Sequence, residues 1–325
     1  MVGVDVGGTK VAAGLVNQSG TILYQTRIPM VSDSGAANAL AAVRAAIDSV
    51  AAQARLQPRS QGSVRAIGIC SPGPLNPYTG TVVNPPNLPC WRNYPLAREI
   101  SQIYGVKVKV DNDANAAALA EALWGAGRGC RNVFCATIGT GIGTGVVMDG
   151  HIYHGRTGAA AEGGHLTIDY RGPRCRCGKP GCIEIFASGP AIAKRARSKL
   201  ASTPDVGPVL LKLCSGNLDR VTGEMIGKAY AAGDLLAKQI LEEIAELLTF
   251  WLGNIVDMLE PDIMIIGGGA ATLMQPFFHH IQERLPGCCV NSRCQEIPLV
   301  MARFGEDAGI VGGAALCAGS VGLTV

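Results

Sequence analysis

The chain is poor in aromatic residues (5%) and in charge (16% Asp, Glu, Lys and Arg), and no charge of one sign gathers into a run. With a net charge of +3 and Lys and Arg scattered in pairs at most, a basic nucleic-acid-binding face is excluded. No window approaches the roughly 18 consecutive apolar residues that a membrane span requires. The opening MVGVDVGGTK lacks a basic segment followed by an apolar run, so it does not read as a secretory signal. What is present is 48% hydrophobic residue, rich in Ala and Val, together with 43 Gly, as suits buried sheets covered by small-residue helices. A length of 325 residues suits two domains. Twelve cysteines in a chain with no export signal read as reduced thiols, and the cytoplasm is the expected compartment.

Residues 2–6 (VGVDV), 11–16 and 21–28 read as three strands of a β-meander, with Gly7-Gly8-Thr9-Lys10 at its first tip. Backbone N–H groups at such a tip, with a Thr hydroxyl and a Lys, can cradle phosphate oxygens. Asp5, at the end of its strand, is placed to hold a Mg²⁺-bound water. One Gly-Gly turn is ordinarily just a hairpin tip, but this one occurs twice. Residues 133–148 (VFCATIGTGIGTGVVM) repeat strand, Gly-Thr-Gly tip and strand, and a slide of 132 residues lays Gly139 on Gly7 and Asp149 on Asn17. This internal repeat begins each half of the chain, and two facing tips would grip a polyphosphate.

Between the copies, 36–55 has apolar residues at helical spacing and 65–70 is a strand ending in Ser71-Pro72-Gly73-Pro74. The Pro- and Asn-rich stretch 75–94 can be neither helix nor sheet interior, and a long loop of this kind is often functional. A strand over 106–110 runs into Asp111-Asn112-Asp113-Ala114-Asn115, which caps an Ala-rich helix over 114–124. Asp and Asn are ordinary caps. They also stand where open α/β sheets place their chemistry, and a carboxylate held ionised at a helix N-terminus can accept a proton, so Asp113 is the candidate general base. Later, helices are expected over 190–200, 210–213, 225–232 and 235–259, a buried strand over 261–266 ending in Gly267-Gly268-Gly269, a helix over 277–285, an edge strand over 297–300 and a last helix over 308–318. The glycine triplet serves either tight strand-to-helix packing or the close approach of a flat ring or phosphate.

The densest chemistry lies in EGGHLTIDYRGPRCRCGKPGCIE, residues 162–184. Cys175, Cys177 and Cys182 fall within eight residues, and His165 precedes the first by ten. Free thiols or one disulfide would account for some of them, but a disulfide leaves the third cysteine and His165 without a role. One imidazole and three thiolates form a closed set that suits a structural Zn²⁺ and leaves no coordination position for reactive water. Glu162 and Glu184 flank the loop, two carboxylates that the ion does not need and that suit a held polar substrate.

The combination of DVGGTK, NDAN, EGGH followed by CRCGKPGCIE, and IIGGG resembles the ROK family across essentially the whole chain, the metal segment most specifically. Within that family it is most similar to the zinc-containing bacterial glucokinases. The resemblance implies an α/β, actin-like (RNase H-like) sugar-kinase fold with two α/β domains flanking a cleft. The domains expected are 1–112 with about 306–325, and 113–305 with the zinc loop. It further implies ATP, Mg²⁺ and structural Zn²⁺ as cofactors, a small-molecule sugar and nucleotide as partners, and a homodimer. By position, Asp113 matches the base that deprotonates the sugar hydroxyl, and Asn112, Glu162, His165 and Glu184 match sugar contacts, with Gly73 and Asn87 at substrate-loop positions. His165 also binds zinc through its other ring nitrogen, with Cys175, Cys177 and Cys182. Asp5, Gly7, Gly8, Thr9 and Lys10 match the first phosphate motif, Thr140 and Gly141 the second, and Gly267, Gly268 and Gly269 the adenosine side. Gly163 departs from the pattern, since many members carry a branched apolar residue there. The family also includes sugar-responsive repressors with a DNA-binding region ahead of the first phosphate motif. Here that motif begins at Val2, so phosphorylation of a hexose is expected, glucose first, with N-acetylmannosamine, N-acetylglucosamine or fructose as alternatives and a sugar-binding regulator behind them.

Overall fold

The computed structural model describes residues 1–33, 35–56 and 64–321; residues 322–325 of the expected small domain lie outside the described residues. By contact density the chain divides into residues 1–135, 145–161 and 303–325, and residues 136–144 and 162–302. The segment 113–135 thus groups with the first unit, whereas the sequence reading began the second domain at 113.

The first unit is built on strands β1 (Val2–Val6), β2 (Lys10–Val16), β3 (Ile22–Pro29), β4 (Ala66–Ser71) and β7 (Lys107–Asn112), in the order β3-β2-β1-β4-β7. Strands β1, β4 and β7 are parallel, and β2 runs antiparallel to both β1 and β3. Burial follows composition. The apolar runs of β1 and β4 are central, while β3 (ILYQTRIP) alternates half-buried and exposed residues as an edge strand does. Alternation sends Val2, Val4, Val6, Ile67 and Ile69 to one face, where Val43, Ile47 and Val50 of helix α1 (Ala36–Leu56) and Leu96 and Ile100 of α2 (Leu96–Tyr104) meet them. The other face carries α11 (Ala308–Leu316), which packs on β1 and β4 and against α3 (Asp113–Trp124). The stretch between β4 and α2 contains a two-strand ribbon, β5 (Leu75–Asn76) with β6 (Thr81–Val82), outside the main sheets.

Strand β7 runs two residues further than the sequence reading had it. Asp111 and Asn112 pair with Cys70 and Ser71 of β4, and the Asp111 carboxylate is satisfied by other partners, so a buried acid is tolerated inside the strand. Helix α3 starts at once, with Asn112 as N-cap accepting the Ala114 N–H at 2.9 Å.

The second sheet consists of β8 (Asn132–Ile138), β9 (Ile142–Met148), β10 (His151–Ile152), β11 (Ile263–Gly267) and β12 (Leu299–Met301), in the order β10-β9-β8-β11-β12. That is the order of the first sheet with each strand replaced by its counterpart. Strands β2 and β9 span residues 10–16 and 142–148, an offset of 132 at both ends. The repeat read in the sequence therefore extends from one hairpin to a whole sheet topology. In the second half, the connection before the fourth strand is where the metal loop and most helices are inserted: α4 (Glu184–Ala187), α5 (Gly189–Ser202), α6 (Pro208–Leu213), α7 (Gly223–Ala231) and α8 (Leu235–Leu259). Helix α8 buries Ile240, Ile244, Leu248, Trp251 and Ile255 along one stripe, and Asp234 caps it through the Ala237 N–H at 2.9 Å. Helices α9 (Gly269–Met274) and α10 (Phe278–Arg284) lie between β11 and β12.

Candidate functional site

In the first unit, Asp5, Cys70 and Asp111 are register partners across β1, β4 and β7, near the C-terminal ends of those parallel strands. Burial pushes the Cys70 thiol well up, and the nearby carboxylates of Asp5, Asp113 and Asp111 push it further, so the three acids crowd one end of the sheet. Burial also raises Asp5, against the opposing charge of Lys10. A carboxylate near the C-terminal end of a parallel strand is an oxygen donor of the kind a divalent cation takes. Gly7 N–H donates to the Lys10 carbonyl at 3.0 Å to close the first tip, and a Cβ on Gly8 would stand 2.8 Å from the Asn87 carbonyl oxygen. A Cβ on Gly73 would lie 3.5 Å from Asn112 Nδ2. The unit thus brings Gly8 to Asn87 and Gly73 to Asn112. Asp113 is exposed at the first turn of α3, its Oδ1 accepting the Ala114 N–H at 2.8 Å.

In the second unit the metal residues converge. The donor atoms of His165, Cys175, Cys177 and Cys182 all lie within 4.8 Å of one another. Cys175 Sγ stands 3.6 Å from His165 Nδ1, and Cys177 Sγ stands 3.6 Å from Cys182 Sγ. A tetrahedral Zn²⁺, with bonds of about 2.3 Å to sulfur and 2.0–2.1 Å to nitrogen, sets those separations at about 3.6 Å and 3.8 Å. Those two separations fit the ion. As thiols, Cys175 is raised and Cys182 is pushed up to about 12, burial being the first cause in each, so loading a metal there releases protons. Nδ1 of His165 is the nitrogen turned to Cys175 Sγ, and Lys179 Nζ donates to the His165 carbonyl at 2.8 Å.

Glu184 joins this cluster to the second tip. Its Oε2 accepts the Ile142 N–H at 2.9 Å, and its Oε1 stands 3.8 Å from Cys175 Sγ. A Cβ on Gly141 would fall 2.5 Å from that Oε2, so only glycine lets the carboxylate reach the strand. Glu162 is exposed, immediately ahead of the 3-10 turn Gly163–His165. That turn is fixed from below. Gly163 N–H donates to Thr144 Oγ1 at 2.7 Å, and Trp251 Nε1 donates to the Gly163 carbonyl at 3.0 Å.

Gly139 and Thr140 of the tip, Pro190 of α5, Gly227 of α7 and Gly269 and Leu273 of α9 line a largely apolar cavity of about 650 Å³. Gly267 ends β11. Gly268 has φ +90°, and its Cβ would stand 2.4 Å from the Ile138 carbonyl, so the middle glycine is set by packing and the third faces the cavity. A volume of this size, with glycine backbone at one side and aliphatic walls, fits a nucleoside and its phosphates. The contribution of α7 was not read from the sequence, because nothing local to Gly223-Glu224 or Gly227 distinguishes it. Thr144, Trp251 and the buried acids Asp111 and Glu121 were likewise missed as positioning residues.

Two five-stranded sheets of one topology, with a glycine-threonine tip in the same place on each, define the actin-like fold of the sugar kinases. The chain belongs to the ROK family, whose pattern matches residues 1–320. It is 34% identical over 316 residues to a glucokinase of Streptomyces coelicolor, covering 97% of this chain and 96% of that one. Among solved structures it is similar to a ROK family glucokinase from Streptomyces griseus in complex with glucose and AMPPNP, with a TM-score of 0.79, 33% identity and coverage of 97% and 98% of the two chains. It is also 28% identical to a xylose repressor of Caldicellulosiruptor bescii, over 87% of this chain and 69% of that one. Among the described residues, no helix is long and apolar enough to cross a membrane.

Proposed function

We propose that the chain is an ATP-dependent hexose kinase whose preferred acceptor is glucose, working as a homodimer. The observation that carries this reading is the cavity beside the second tip, where Gly139, Thr140 and Gly269 face one space of about 650 Å³ in a chain 33% identical to a glucokinase crystallised with glucose and AMPPNP. The roles follow from phosphoryl-transfer physics, in which positioning and charge stabilisation do most of the work.

In the second unit the cavity takes the nucleoside of ATP, and the backbone N–H groups of Thr140 and Gly141 bind phosphate oxygens. Glu162, Glu184 and the Nε2 of His165 contact sugar hydroxyls. Glu184 has one oxygen committed to the Ile142 N–H, so its carboxylate is oriented before sugar arrives. The four-residue Cys/His set holds Zn²⁺, which fixes the fold of that loop and takes no part in chemistry. In the first unit Gly7, Gly8, Thr9 and Lys10 bind phosphate, Gly73, Asn87 and Asn112 bind sugar, and Asp5 holds Mg²⁺ through water. A bound Mg²⁺ supplies neutralisation of the phosphate charge. Asp113 accepts the proton of the attacking hydroxyl, for which its exposure at the start of α3 and its partial fixation by the Ala114 N–H are suited.

The test is ADP release with Mg-ATP against a panel of hexoses and N-acetylhexosamines. Preference for glucose by kcat/KM is the expected result. Preference for an N-acetylated sugar would keep the reaction and overturn the substrate. Tight sugar binding with no turnover on any member would overturn the kinase reading in favour of a regulator.

A further inference from the structure

Asp113, the proposed base, is exposed and sits at a strand-to-helix junction, where the backbone on both sides decides where its carboxylate points. The neighbour that controls this backbone is Asp111. It is buried, and its two oxygens serve three donors. Oδ1 accepts the backbone N–H of Asn112 at 2.7 Å and Nδ2 of Asn115 at 3.1 Å, and Oδ2 meets His154 Nε2 at 2.6 Å. Asp111 therefore grips the residue before Asp113 and the residue two after it. The Asn115 amide oxygen takes no hydrogen bond, so the contact with Asp111 is the one that orients that side chain.

His154 comes from the far side of the unit's sequence, just after β10, and is itself held. Its carbonyl accepts the Ala160 N–H at 3.2 Å, and its ring lies edge-on to Tyr78 with centroids 5.7 Å apart. Tyr78 in turn donates its hydroxyl to the Gly155 carbonyl at 2.8 Å. A partly buried pair of this kind gives little net stability, because desolvation offsets the attraction. Its effect is geometric. With His154 in place, Asp111 has both oxygens engaged and one orientation; without it, one oxygen is left to rotate toward the cavity of about 600 Å³ that both residues line.

We propose that His154 is a positioning residue for phosphoryl transfer: acting through Asp111, it fixes Asn112 and Asn115 and so aims the carboxylate of Asp113. This role rests on the kinase reading above. His154 reaches the sugar ligand Asn112 only through the Asn112 backbone N–H that Asp111 holds, and is given no sugar or nucleotide contact of its own. Its loss should therefore appear mainly in the chemical step, with at most a small loss of sugar affinity. A displacement of about 1 Å at a reacting group costs on the order of 100-fold.

The experiment compares the parent with His154→Leu and His154→Gln, measuring kcat for glucose per glucose-binding site, with the sites counted and their affinity measured by calorimetry. His154→Gln keeps a donor on a side chain of comparable reach. The expected result is a fall of about 10- to 100-fold in kcat for the Leu variant, glucose affinity within about threefold of the parent, and recovery of most of the rate in the Gln variant. If the Leu variant does not accumulate as folded protein, His154→Asn, polar but too short to reach Asp111, takes its place with the same expectation. A Leu or Asn variant with kcat per site within about twofold of an active parent overturns the role of His154 alone, as does a loss of rate matched by an equal loss of binding sites. A parent that phosphorylates no hexose overturns the kinase reading, and this role with it.

Discussion

Replacing Gly163 tests whether the turn that carries Glu162 and His165 is held by packing from below. Gly163 has a φ outside the left-handed region, so alanine is conformationally allowed and the cost of adding it is steric. The new Cβ would stand 2.9 Å from Thr144 Oγ1, 3.3 Å from its Cγ2 and 3.4 Å from its Cβ, all buried and unable to move away freely. Overpacking of that kind costs about 1–3 kcal/mol. Thr144→Ala by itself removes the acceptor of the Gly163 N–H and leaves a buried donor unsatisfied, again about 1–3 kcal/mol. In the double variant the unsatisfied donor remains, but the alanine methyl enters the space that Thr144 gave up. The two costs should therefore fall short of additivity by about 1–2 kcal/mol, as coupled neighbours do. The assay is thermal unfolding of the four proteins, where 1 kcal/mol corresponds to about 2–4 °C for a cooperative unit of about 150 residues. Glucose affinity is measured in parallel, and it should weaken in Gly163→Ala and partly recover in the double variant. Additivity to within about 0.3 kcal/mol would refute the account of Thr144 as the residue that requires glycine at 163.

Three further outcomes are expected. Asp113→Asn should lower kcat by about 10²–10⁴-fold while glucose binding stays measurable by calorimetry; near-parental turnover would remove Asp113 from the role of base. The purified protein should carry one zinc per chain by elemental analysis, and chelation or Cys177→Ser should weaken glucose binding, since the loop that holds Glu184 and His165 loses its centre. Unchanged affinity in the zinc-free protein would separate the metal from the sugar site. Glu121→Ala should cost about 3 kcal/mol in thermal unfolding, because its buried carboxylate accepts the backbone N–H groups of Ala126 at 2.8 Å, Arg303 at 2.7 Å and Phe304 at 3.1 Å; a change under about 1 kcal/mol would show that water replaces it.

The sequence by itself determined the features whose partners are near in the chain or whose composition permits one environment. The apolar run at 2–6 read as a buried strand and 65–70 as a strand, and in the fold both are central strands of the first sheet. The Cys/His cluster was legible because His165, Cys175, Cys177 and Cys182 span 18 residues, and few other arrangements of those donors are chemically sensible. The paired tips were legible because a fixed offset of 132 repeats glycine and threonine between apolar strands. What the fold decided were contacts between ordinary residues far apart. Asp111 and His154 are 43 residues apart, and Glu121 and Arg303 are 182 apart; each reads alone as a surface charge or a cap. Thr144 sets Gly163, and Glu184 sets Gly141, only after strand register and helix placement bring them so close that a Cβ on either glycine would fall within 3 Å of the partner. The nucleotide-sized cavity is assembled from four separate segments of the chain, and the two on α5 and α7 carry no local signal of their own beyond a glycine. Local pattern fixes what a residue can be buried against; which residue it meets depends on packing at long sequence separation, which periodicity does not encode.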